Sequence, residues 1–417
     1  MRDELISTSV VLRPSSCVLL PAMSNNFSFA RRTEWNLTVN KLMTVLADLQ
    51  QRDIAVLDLT ESNPTQCGFN YLDDRIVAPL SKAENLVYAP QPAGLPAARG
   101  AVREYYRQKN VEIEPGRIFL SSSTSEAYSY LFRLLLNPGE KVLVPIPSYP
   151  LFQYLVELND AVLGQYPLFW EDGVWRLDAT TLAESVTPDT RAIILVNPNN
   201  PTGSFLKESE LLAVNQLAQK HQLALICDEV FLDFDWPGRT EPITLAANEE
   251  VLTFVLGGIS KTLGLPQMKL AWIAINGPPA HVSAAAERLE IIADTYLSVN
   301  TPSQNSLGEW MGLRKDIHKE IGRRLSANWG WLEDRLRKVA ALKLLAAEGG
   351  WYAILKFPDS RTEEEWVMEL LERDRVFVHP GFFFDFYEEP FIIVSLLTPE
   401  AVFMEGIERI LARLQRP

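Results

Sequence analysis

The chain has 417 residues, of which 47% are hydrophobic and 22% charged. That length fits one large α/β domain plus a smaller one, because single cores stop growing near roughly 250–300 residues. Acidic residues outnumber basic ones, 53 to 39, and we find no long Lys/Arg run, so a nucleic-acid partner is not expected. No apolar run reaches the roughly 18–20 residues that span a bilayer, so no membrane partner is expected either.

Cysteine and histidine usage gives no sign of a disulfide framework or a metal site. Cys17, Cys67 and Cys227 are odd in number and widely spaced, and the four histidines are scattered. This pattern lacks zinc-ligand spacing and fits a reducing compartment. We therefore expect a cytoplasmic protein without a metal.

The first residues do not resemble a secretory signal. They begin with acidic side chains, and Arg13-Pro14 divides the apolar part, whereas a signal sequence carries about 7–15 uninterrupted apolar residues. We interpret residues 1–26 as a disordered leader. Met23 is a candidate for the true first residue.

From residue 117 onward, short apolar runs rich in β-branched residues alternate with helical patterns. The predicted strands are Arg117–Ser122, Lys141–Pro147, Arg191–Asn197, Leu223–Val230, Leu252–Ser260 and Leu270–Asn276. Continuous apolar strands separated by amphipathic helices predict an α/β domain with a mostly parallel sheet covered by helices. Ligands bind such sheets at the carboxyl ends of the strands.

The pattern changes after about residue 300 and predicts a smaller α+β domain. A helical stretch runs from Gln304 to Lys338, strands are predicted at Gly350–Phe357 and Pro390–Leu397, and a last helix spans Pro399–Leu414. The helical pattern of Phe29–Gln50 is assigned to the same domain. We predict residues 27–70 as the N-terminal part of the small domain, 71–300 as the large domain and 301–417 as the small C-terminal domain.

Polar motifs follow two of the predicted strands. The run Ser121–Ser125 opens a helix, where hydroxyls and free N–H groups can bind phosphate or simply cap the helix. The turn Asn197–Gly203 contains two prolines and three asparagines. It is either plain turn chemistry or a means of projecting the Asn200 amide into the crevice.

An acid and a lysine follow two further strands. Asp228 lies inside an apolar strand, flanked by Cys227 and Glu229, and it is either a buried acid with a cationic partner or an exposed acid just past the strand end. Lys261 is either a partly desolvated, nucleophilic amine or a surface lysine. The string Ser260-Lys261-Thr262 lacks the Gly of a phosphate loop. The absence of GxGxxG argues against a nicotinamide-dependent dehydrogenase.

Taken together, these motifs resemble the class I/II aminotransferases, which are fold-type I enzymes dependent on pyridoxal 5'-phosphate. The resemblance runs from about Phe27 to Leu414 and rests on NPNNPTG, DEVF and SKTLGLPQMKLAW in that order, with YAPQPAGLPAAR, PSYP, GGWYAIL and VFVHPGFFF. It implies an enzyme that moves an amino group from an amino acid or related amine to a 2-oxo acid.

The resemblance implies roles for four residues around the cofactor ring. Lys261 would hold the cofactor as a Schiff base and shuttle the proton. Asp228 would keep the pyridine nitrogen protonated, so that the ring acts as an electron sink. Asn200 would donate to the ring oxygen, and Tyr149 would stack on the ring face.

Five further roles concern the cofactor phosphate. Ser123, Thr124 and Ser125 would cradle the phosphate, with Lys269 as its cation. Tyr88 would reach the phosphate of the neighbouring subunit, because the active sites of these enzymes lie at a homodimer interface.

Three positions depart from the family pattern. Lys269 replaces an Arg, which exchanges a bidentate fork for a point charge, and Phe231 replaces a Tyr that donates to the ring oxygen. Ile393 stands where the family carries the Arg that grips the substrate carboxylate. Either Arg31 or Arg32 takes over that grip, or the group recognised there is not a carboxylate.

The missing Arg keeps a second reaction open. A pyridoxal-phosphate lyase or decarboxylase would use the same Lys261, Asp228 and Asn200. An inactive, ligand-sensing relative is a further alternative, which the intact Lys261 disfavours.

Overall fold

The computed structural model describes residues 28–71, 73–236, 242–387 and 390–415. The predicted leader, residues 1–26 with Met23, lies outside the described residues. Within the described ranges, no helix combines the length and the apolar character that a membrane crossing requires.

Fourteen strands are found in the described residues. They are β1 Leu57–Asp58, β2 Ile118–Ser121, β3 Lys141–Ile146, β4 Val162–Glu171, β5 Val174–Leu177, β6 Thr190–Val196, β7 Ala224–Asp228, β8 Thr253–Gly258, β9 Ala271–Asn276, β10 Lys343–Leu345, β11 Tyr352–Lys356, β12 Val376–Phe377, β13 His379–Pro380 and β14 Phe391–Ser395.

Thirteen α-helices connect and cover these strands in the same ranges. They are α1 Lys41–Gln51, α2 Asp74–Val77, α3 Pro96–Arg107, α4 Thr124–Leu135, α5 Phe152–Glu157, α6 Ala179–Ser185, α7 Glu208–His221, α8 Ile259–Thr262, α9 Pro279–Tyr296, α10 Thr301–Gly312, α11 Arg314–Leu336, α12 Glu363–Asp374 and α13 Glu400–Leu414.

The large sheet has eight strands in the order β2-β9-β8-β7-β6-β3-β4-β5. Strands β4, β3, β6, β7 and β8 are parallel neighbours, whereas β9 runs antiparallel to both β8 and β2. The prediction of an α/β fold with a mostly parallel sheet is confirmed, and all six predicted strands are present. Strands β4 and β5 were not predicted, because β4 lies close to the edge of the sheet, is largely half-exposed and lacks a continuous apolar run.

The large sheet is buried on both faces. In β7, Leu225 and Cys227 belong to one apolar core, while Ala224 and Ile226 belong to a second core on the opposite face. Successive side chains of a strand point to opposite faces, so alternating membership of two cores means that apolar side chains cover each face. This two-sided burial explains why the central strands read as unbroken apolar runs.

A second, four-stranded antiparallel sheet has the order β10-β11-β14-β13, and β1 pairs with β12 in a short parallel ladder. The predicted helix at Gln304–Lys338 is two helices, α10 and α11, with Leu313 between them. The predicted helix at Phe29–Gln50 is wrong in its first half. There the chain has only a 3-10 turn at Arg31–Thr33, and α1 begins at Lys41 because the Asn40 side chain caps the amide of Leu42. The domain boundaries near residues 70 and 300 stay a prediction.

Candidate active site

Most of the residues predicted for the site lie at one end of the strands in the large sheet. Strand β9 is antiparallel to β8 and to β2, so β2 runs in the same direction as β3, β6, β7 and β8. The carboxyl ends of these five strands therefore lie on the same side of the sheet as the amino end of β9. Five predicted residues follow the carboxyl ends: Ser123 after β2, Tyr149 after β3, Asn200 after β6, Asp228 at the end of β7, and Lys261 after β8.

Strand register aligns the elements that carry these residues. Ala271, the first residue of β9, is the partner of both Ser121 in β2 and Gly258 in β8. Lys269 precedes β9 by two residues, so it lies at the same edge as Ser123–Ser125 and Lys261. On the other side of Lys261, Asp228 pairs with Leu256 of β8 and with Val196 of β6.

Asp228 is a half-buried acid held from two sides. Its Oδ2 accepts a hydrogen bond from the Tyr128 hydroxyl at 3.1 Å, and its Oδ1 accepts one from the amide of Val230 at 3.1 Å. Burial raises the pKa of Asp228 to about 6, although these hydrogen bonds and the charge of Lys261 lower it. A carboxylate whose ionised form is disfavoured by burial is stabilised by a cationic partner.

Lys261 is a desolvated amine within an aromatic wall. Its Nζ lies 4.9 Å from the ring centre of Trp351 and 5.5 Å from that of Phe231. Burial lowers the pKa of Lys261 to about 8, against the charge of Asp228, which raises it. With that pKa, about one amine in ten is neutral at pH 7, compared with well under one in a thousand for an ordinary lysine. The neutral amine is the nucleophilic form.

The backbone around Lys261 is fixed by close packing. A Cβ on Gly257 would lie 2.5 Å from the indole of Trp272, so only glycine lets β8 pass this ring. The amide of Ile259 donates to the carbonyl of Leu270 at 3.1 Å. His318 Nε2 lies 2.6 Å from the carbonyl oxygen of Thr262. The backbone that carries Lys261 is therefore held in place by contacts on both sides of this residue.

The loops after β3 and β6 are joined next to Asp228. The Asn199 side-chain amide donates to the carbonyl of Pro147 at 3.0 Å, and the ring of Tyr149 packs edge-on against Phe152 at 6.0 Å. Asn200 Oδ1 is buried without a hydrogen-bond partner in the described part of the chain. Because buried amides are normally paired, the Asn200 side chain has the capacity to bond to a ligand at this place.

The run Ser121–Ser125 forms a capped helix start. Ser123 is the N-cap of α4, and its Oγ accepts from the amide of Glu126 at 3.1 Å. The Glu126 carboxylate accepts in turn from the amide and hydroxyl of Ser122 and from the hydroxyl of Ser298. Capping is thus one role of Ser123. Thr124 and Ser125, in the first turn of α4, offer backbone N–H groups of the kind that bind anions.

The two other residues predicted near the phosphate are exposed. Lys269 has a left-handed backbone with φ of 50° and an exposed side chain. Tyr88 is 78% exposed and follows the 3-10 turn Ala83–Leu86. The structure therefore brings Lys269 to the sheet edge and leaves Tyr88 on the surface of this chain.

The structure locates two of the departures from the family pattern in apolar packing. Phe231 is buried and its ring lies 5.2 Å from that of Trp351. Ile393 is fully buried in β14, paired with Ile354 on one side and His379 on the other. No room for a solvated cation exists at Ile393, since its neighbours fill the core of the small sheet.

Arg32 and Lys261 lie at opposite ends of the strands in the large sheet. Its guanidinium contacts Asp160 at 2.5 Å, and the carbonyl of Asp160 accepts from Gly139 next to the amino ends of β3 and β4. The length of β3, about 20 Å for six residues, separates that edge from the site. Arg32 of the same chain is therefore too far from Lys261 for the carboxylate-binding role considered for it from the sequence.

Three site residues were not predicted from the sequence as parts of the site. Tyr128 bonds to Asp228, Trp351 flanks Lys261, and the charge of Glu61 raises the pKa of Lys261 against the larger lowering by burial. Tyr128 could have been found, because it lies one helical turn after Thr124 on the helix that follows β2. Nothing in the local pattern around Glu61 distinguishes it from a surface acid.

A desolvated lysine amine and a half-buried acid thus lie at neighbouring strand ends of an α/β fold. The model of the family "Aminotransferase class I and II" matches residues 56–410. The chain belongs to this family and is an aminotransferase.

Curated relatives and solved structures agree with this assignment. The glutamate-pyruvate aminotransferase AlaA of Escherichia coli is 26% identical, with 84% of this chain and 88% of that protein covered. The alanine aminotransferase of Mycobacterium tuberculosis is 28% identical, with 80% of each chain covered. The alanine aminotransferase of Pyrococcus furiosus has a TM-score of 0.85 at 24% identity and covers 93% of this chain and 100% of that chain. The fold is therefore shared with this last enzyme.

Proposed function

We propose that this aminotransferase holds pyridoxal 5'-phosphate through Lys261 and moves an amino group from an amino acid or related amine to a 2-oxo acid. One observation carries the proposal. A lysine with a pKa of about 8 and an acid with a pKa of about 6 lie at the carboxyl ends of adjacent parallel strands. The pair matches the needs of a cofactor with an aldehyde and a protonated ring nitrogen.

The residues at the sheet edge fit this cofactor. The orphaned Asn200 amide would bond to the ring oxygen, since a half-turn of the amide presents either its oxygen or its nitrogen. Asp228 would receive the cationic partner that its burial calls for, and Tyr149 would cover the ring. The run Ser123–Ser125 and Lys269 would hold the phosphate. When bound, the cofactor supplies an electron sink for the carbon next to the transferred nitrogen.

The chain's own residues would then position the substrate and move protons. Lys261 Nζ, neutral in a useful fraction at pH 7, accepts the proton from the substrate carbon and returns it at the end of the half-reaction. Asp228 would keep a proton on the ring nitrogen, and the hydrogen bond from Tyr128 would fix the orientation of that carboxylate. Trp351 and Phe231 keep water away from Nζ, which preserves its lowered pKa.

A single-turnover experiment tests the proposal against a lyase or decarboxylase. The holoprotein is mixed with an amino donor and no oxo acid. An aminotransferase releases one equivalent of 2-oxo product and stops, and pyruvate, the acceptor in the name of the E. coli relative, restarts turnover. Continuous release of product without an acceptor would contradict the proposal and favour the lyase.

We also propose that the enzyme is a homodimer. Leu86, Val87 and Tyr88 are consecutive apolar side chains that are 89%, 60% and 78% exposed, and a contiguous exposed apolar patch is typical of an interaction surface. In a dimer that covers this patch, the family resemblance implies that Tyr88 would reach the other subunit's phosphate site. Sedimentation should give twice the chain mass of 47.1 kDa. A fully active monomer would contradict the dimer. The cytoplasmic location stays a prediction.

A further inference from the structure

The turn Lys261–Gly264 is held by side chains from outside it. His318, on α11, has its Nε2 2.6 Å from the carbonyl oxygen of Thr262, the residue after Lys261. Because a carbonyl oxygen only accepts, Nε2 carries the proton in this contact. Two residues further on, the Tyr71 hydroxyl donates to the Gly264 carbonyl at 3.0 Å. Side-chain donors thus fix two backbone carbonyls directly after the lysine.

The same imidazole packs against the loop that follows Asp228 and β7. The His318 ring lies 5.2 Å from that of Phe234, and the Phe234 ring lies 4.9 Å from that of Trp351. The Trp351 ring in turn lies 4.9 Å from Lys261 Nζ. His318 therefore contacts the backbone after Lys261 directly, and it supports the aromatic wall around the Lys261 amine through one intervening ring.

An ion cluster joins α11 to the loop after β7 one helical turn before His318. The Asp233 side chain in this loop is 5% exposed, and its carboxylate accepts from Lys109 at 2.6 Å and from the Tyr105 hydroxyl at 3.2 Å. Arg314, the first residue of α11, lies 3.9 Å from the same carboxylate. Arg314 and His318 are four residues apart, so they lie on one face of the helix. This face of α11 therefore contacts both the loop after β7 and the turn after β8.

The surroundings of His318 favour its neutral form. Burial keeps the pKa of His318 below its ordinary value, although the charge of Asp233 and the bond to Thr262 raise it. The cations Arg314 and Lys109 lower the pKa further. At pH 7 the ring is therefore mostly neutral, with its single N–H committed to the Thr262 carbonyl.

We propose that His318 is a positioning residue, which sets the place of Lys261 relative to Asp228 by holding the turns after β7 and β8 against one face of α11. This inference rests on the proposed function of Lys261. Proton transfer requires Nζ to lie within about 3–3.5 Å of the reacting atom, and the long lysine side chain starts from the backbone that His318 holds. The His318 bond goes to a backbone carbonyl, so its effect on the reaction is exerted through Lys261.

Replacements of His318 in the holoenzyme separate the hydrogen bond from the ring. His318→Phe keeps a ring beside Phe234 and loses the donor, whereas the side-chain amide of His318→Gln presents an N–H near the position of Nε2. With L-glutamate and pyruvate, the pair in the name of the E. coli relative, kcat of His318→Phe should fall about tenfold or more, because small displacements of a reacting group are costly. KM should change about twofold or less, since substrate binding is not touched. His318→Gln should recover most of kcat, and His318→Asn, whose amide is too short to reach Thr262, should not.

A spectroscopic measurement reports on position without turnover. The visible circular dichroism of bound pyridoxal 5'-phosphate depends on how the protein orients the ring. Per bound cofactor, this signal should weaken in His318→Phe and His318→Asn and be restored in His318→Gln. Tyr166→Phe is the matched control, because it removes a buried side-chain bond to a backbone carbonyl, that of Ile194 within β6. It should lose stability in urea and keep the wild-type kcat and dichroism.

The outcomes discriminate between the two proposals. If His318→Phe and His318→Asn keep the wild-type dichroism, or if His318→Gln is no better than they are, the positioning role of the His318 hydrogen bond is overturned while the aminotransferase proposal stands. If borohydride reduction of the wild-type holoprotein attaches the cofactor to a lysine other than Lys261, the proposed function fails and the His318 inference fails with it.

Discussion

The two walls of the active site differ in how they are built. The wall proposed to hold the cofactor, here called the cofactor wall, lies at the carboxyl ends of the large-sheet strands, where Asp228 ends β7 and Lys261 follows the adjacent parallel strand β8. The wall proposed to face the substrate, here called the substrate wall, combines the segment after β1 with β11 and β14, and these are far apart in sequence. The resemblance implies that Lys261 and Asp228 keep their family roles on the first wall, whereas on the second wall Ile393 stands where the resemblance implies an arginine.

This difference shows which part of the chemistry the fold dictates. Packing on both faces fixes the position of a buried strand, so the residues directly after its end are fixed in space as well. The substrate wall is fixed by a few hydrogen bonds, such as that from Ser395 to Leu59. Its side chains can therefore change while the cofactor wall is kept. Replacements on the two walls should accordingly affect different steps.

The largest effect is expected on the cofactor wall. Replacing Lys261 by Ala removes the proton-transfer group, which alone is worth about 10²–10⁴-fold in rate. The transamination rates of the variant and the wild type are measured at saturating cofactor. Borohydride reduction and peptide mapping of the wild-type holoprotein then locate the lysine that carries the cofactor. Lys338→Ala, at an exposed position after α11, is the control and should react as the wild type. Modification of a lysine other than Lys261 would contradict the assignment.

On the substrate wall, replacing Ile393 by the arginine that the family resemblance implies should destabilise the folded protein. Ile393→Arg places a charge at a fully buried position between Ile354 and His379, and an uncompensated buried charge costs about 3–5 kcal/mol. Urea denaturation should show this loss in the free energy of unfolding. Leu212→Arg at a 60% exposed site on α7 should change stability by about 0.5 kcal/mol or less. A stable Ile393→Arg protein that gains glutamate activity would show that the wall is readily converted.

The contrast between the walls also explains what the sequence could predict. Unbroken apolar runs identify the central strands, and the polar motifs that follow them indicate that Lys261 and Asp228 share one edge of the sheet. The half-exposed strand β4 lacks that signal. Arg32 was a reasonable candidate by charge, but only the topology shows that it lies about one strand length away from the site. The proximity of Glu61 depends on long-range pairing of β1 with β12, which no local pattern encodes.

A smaller effect should come from the support behind the cofactor wall. Tyr128→Phe removes one hydrogen bond to the Asp228 carboxylate, so the pKa of Asp228 should rise further and cofactor affinity should fall about tenfold, as for a bond to a charged group. Tyr166→Phe is the matched control, because it removes a buried tyrosine hydrogen bond to the carbonyl of Ile194 without touching Asp228. Equal losses of affinity in both variants would mean that Tyr128 acts only through stability.

The smallest effect is a pH dependence that reports on Lys261 itself. Because burial lowers its pKa to about 8, the neutral amine should increase about fivefold between pH 7 and pH 8 and level off above that, whereas an ordinary lysine continues to gain up to about pH 10.4. The rate at which the cofactor-free protein reacts with pyridoxal should follow this curve. The charge of Asp228 raises the pKa of Lys261, so Asp228→Asn should move the midpoint to lower pH. A midpoint near 10 in the wild type would mean that the Lys261 amine is solvated, and that the aromatic wall of Trp351 and Phe231 does not exclude water from it.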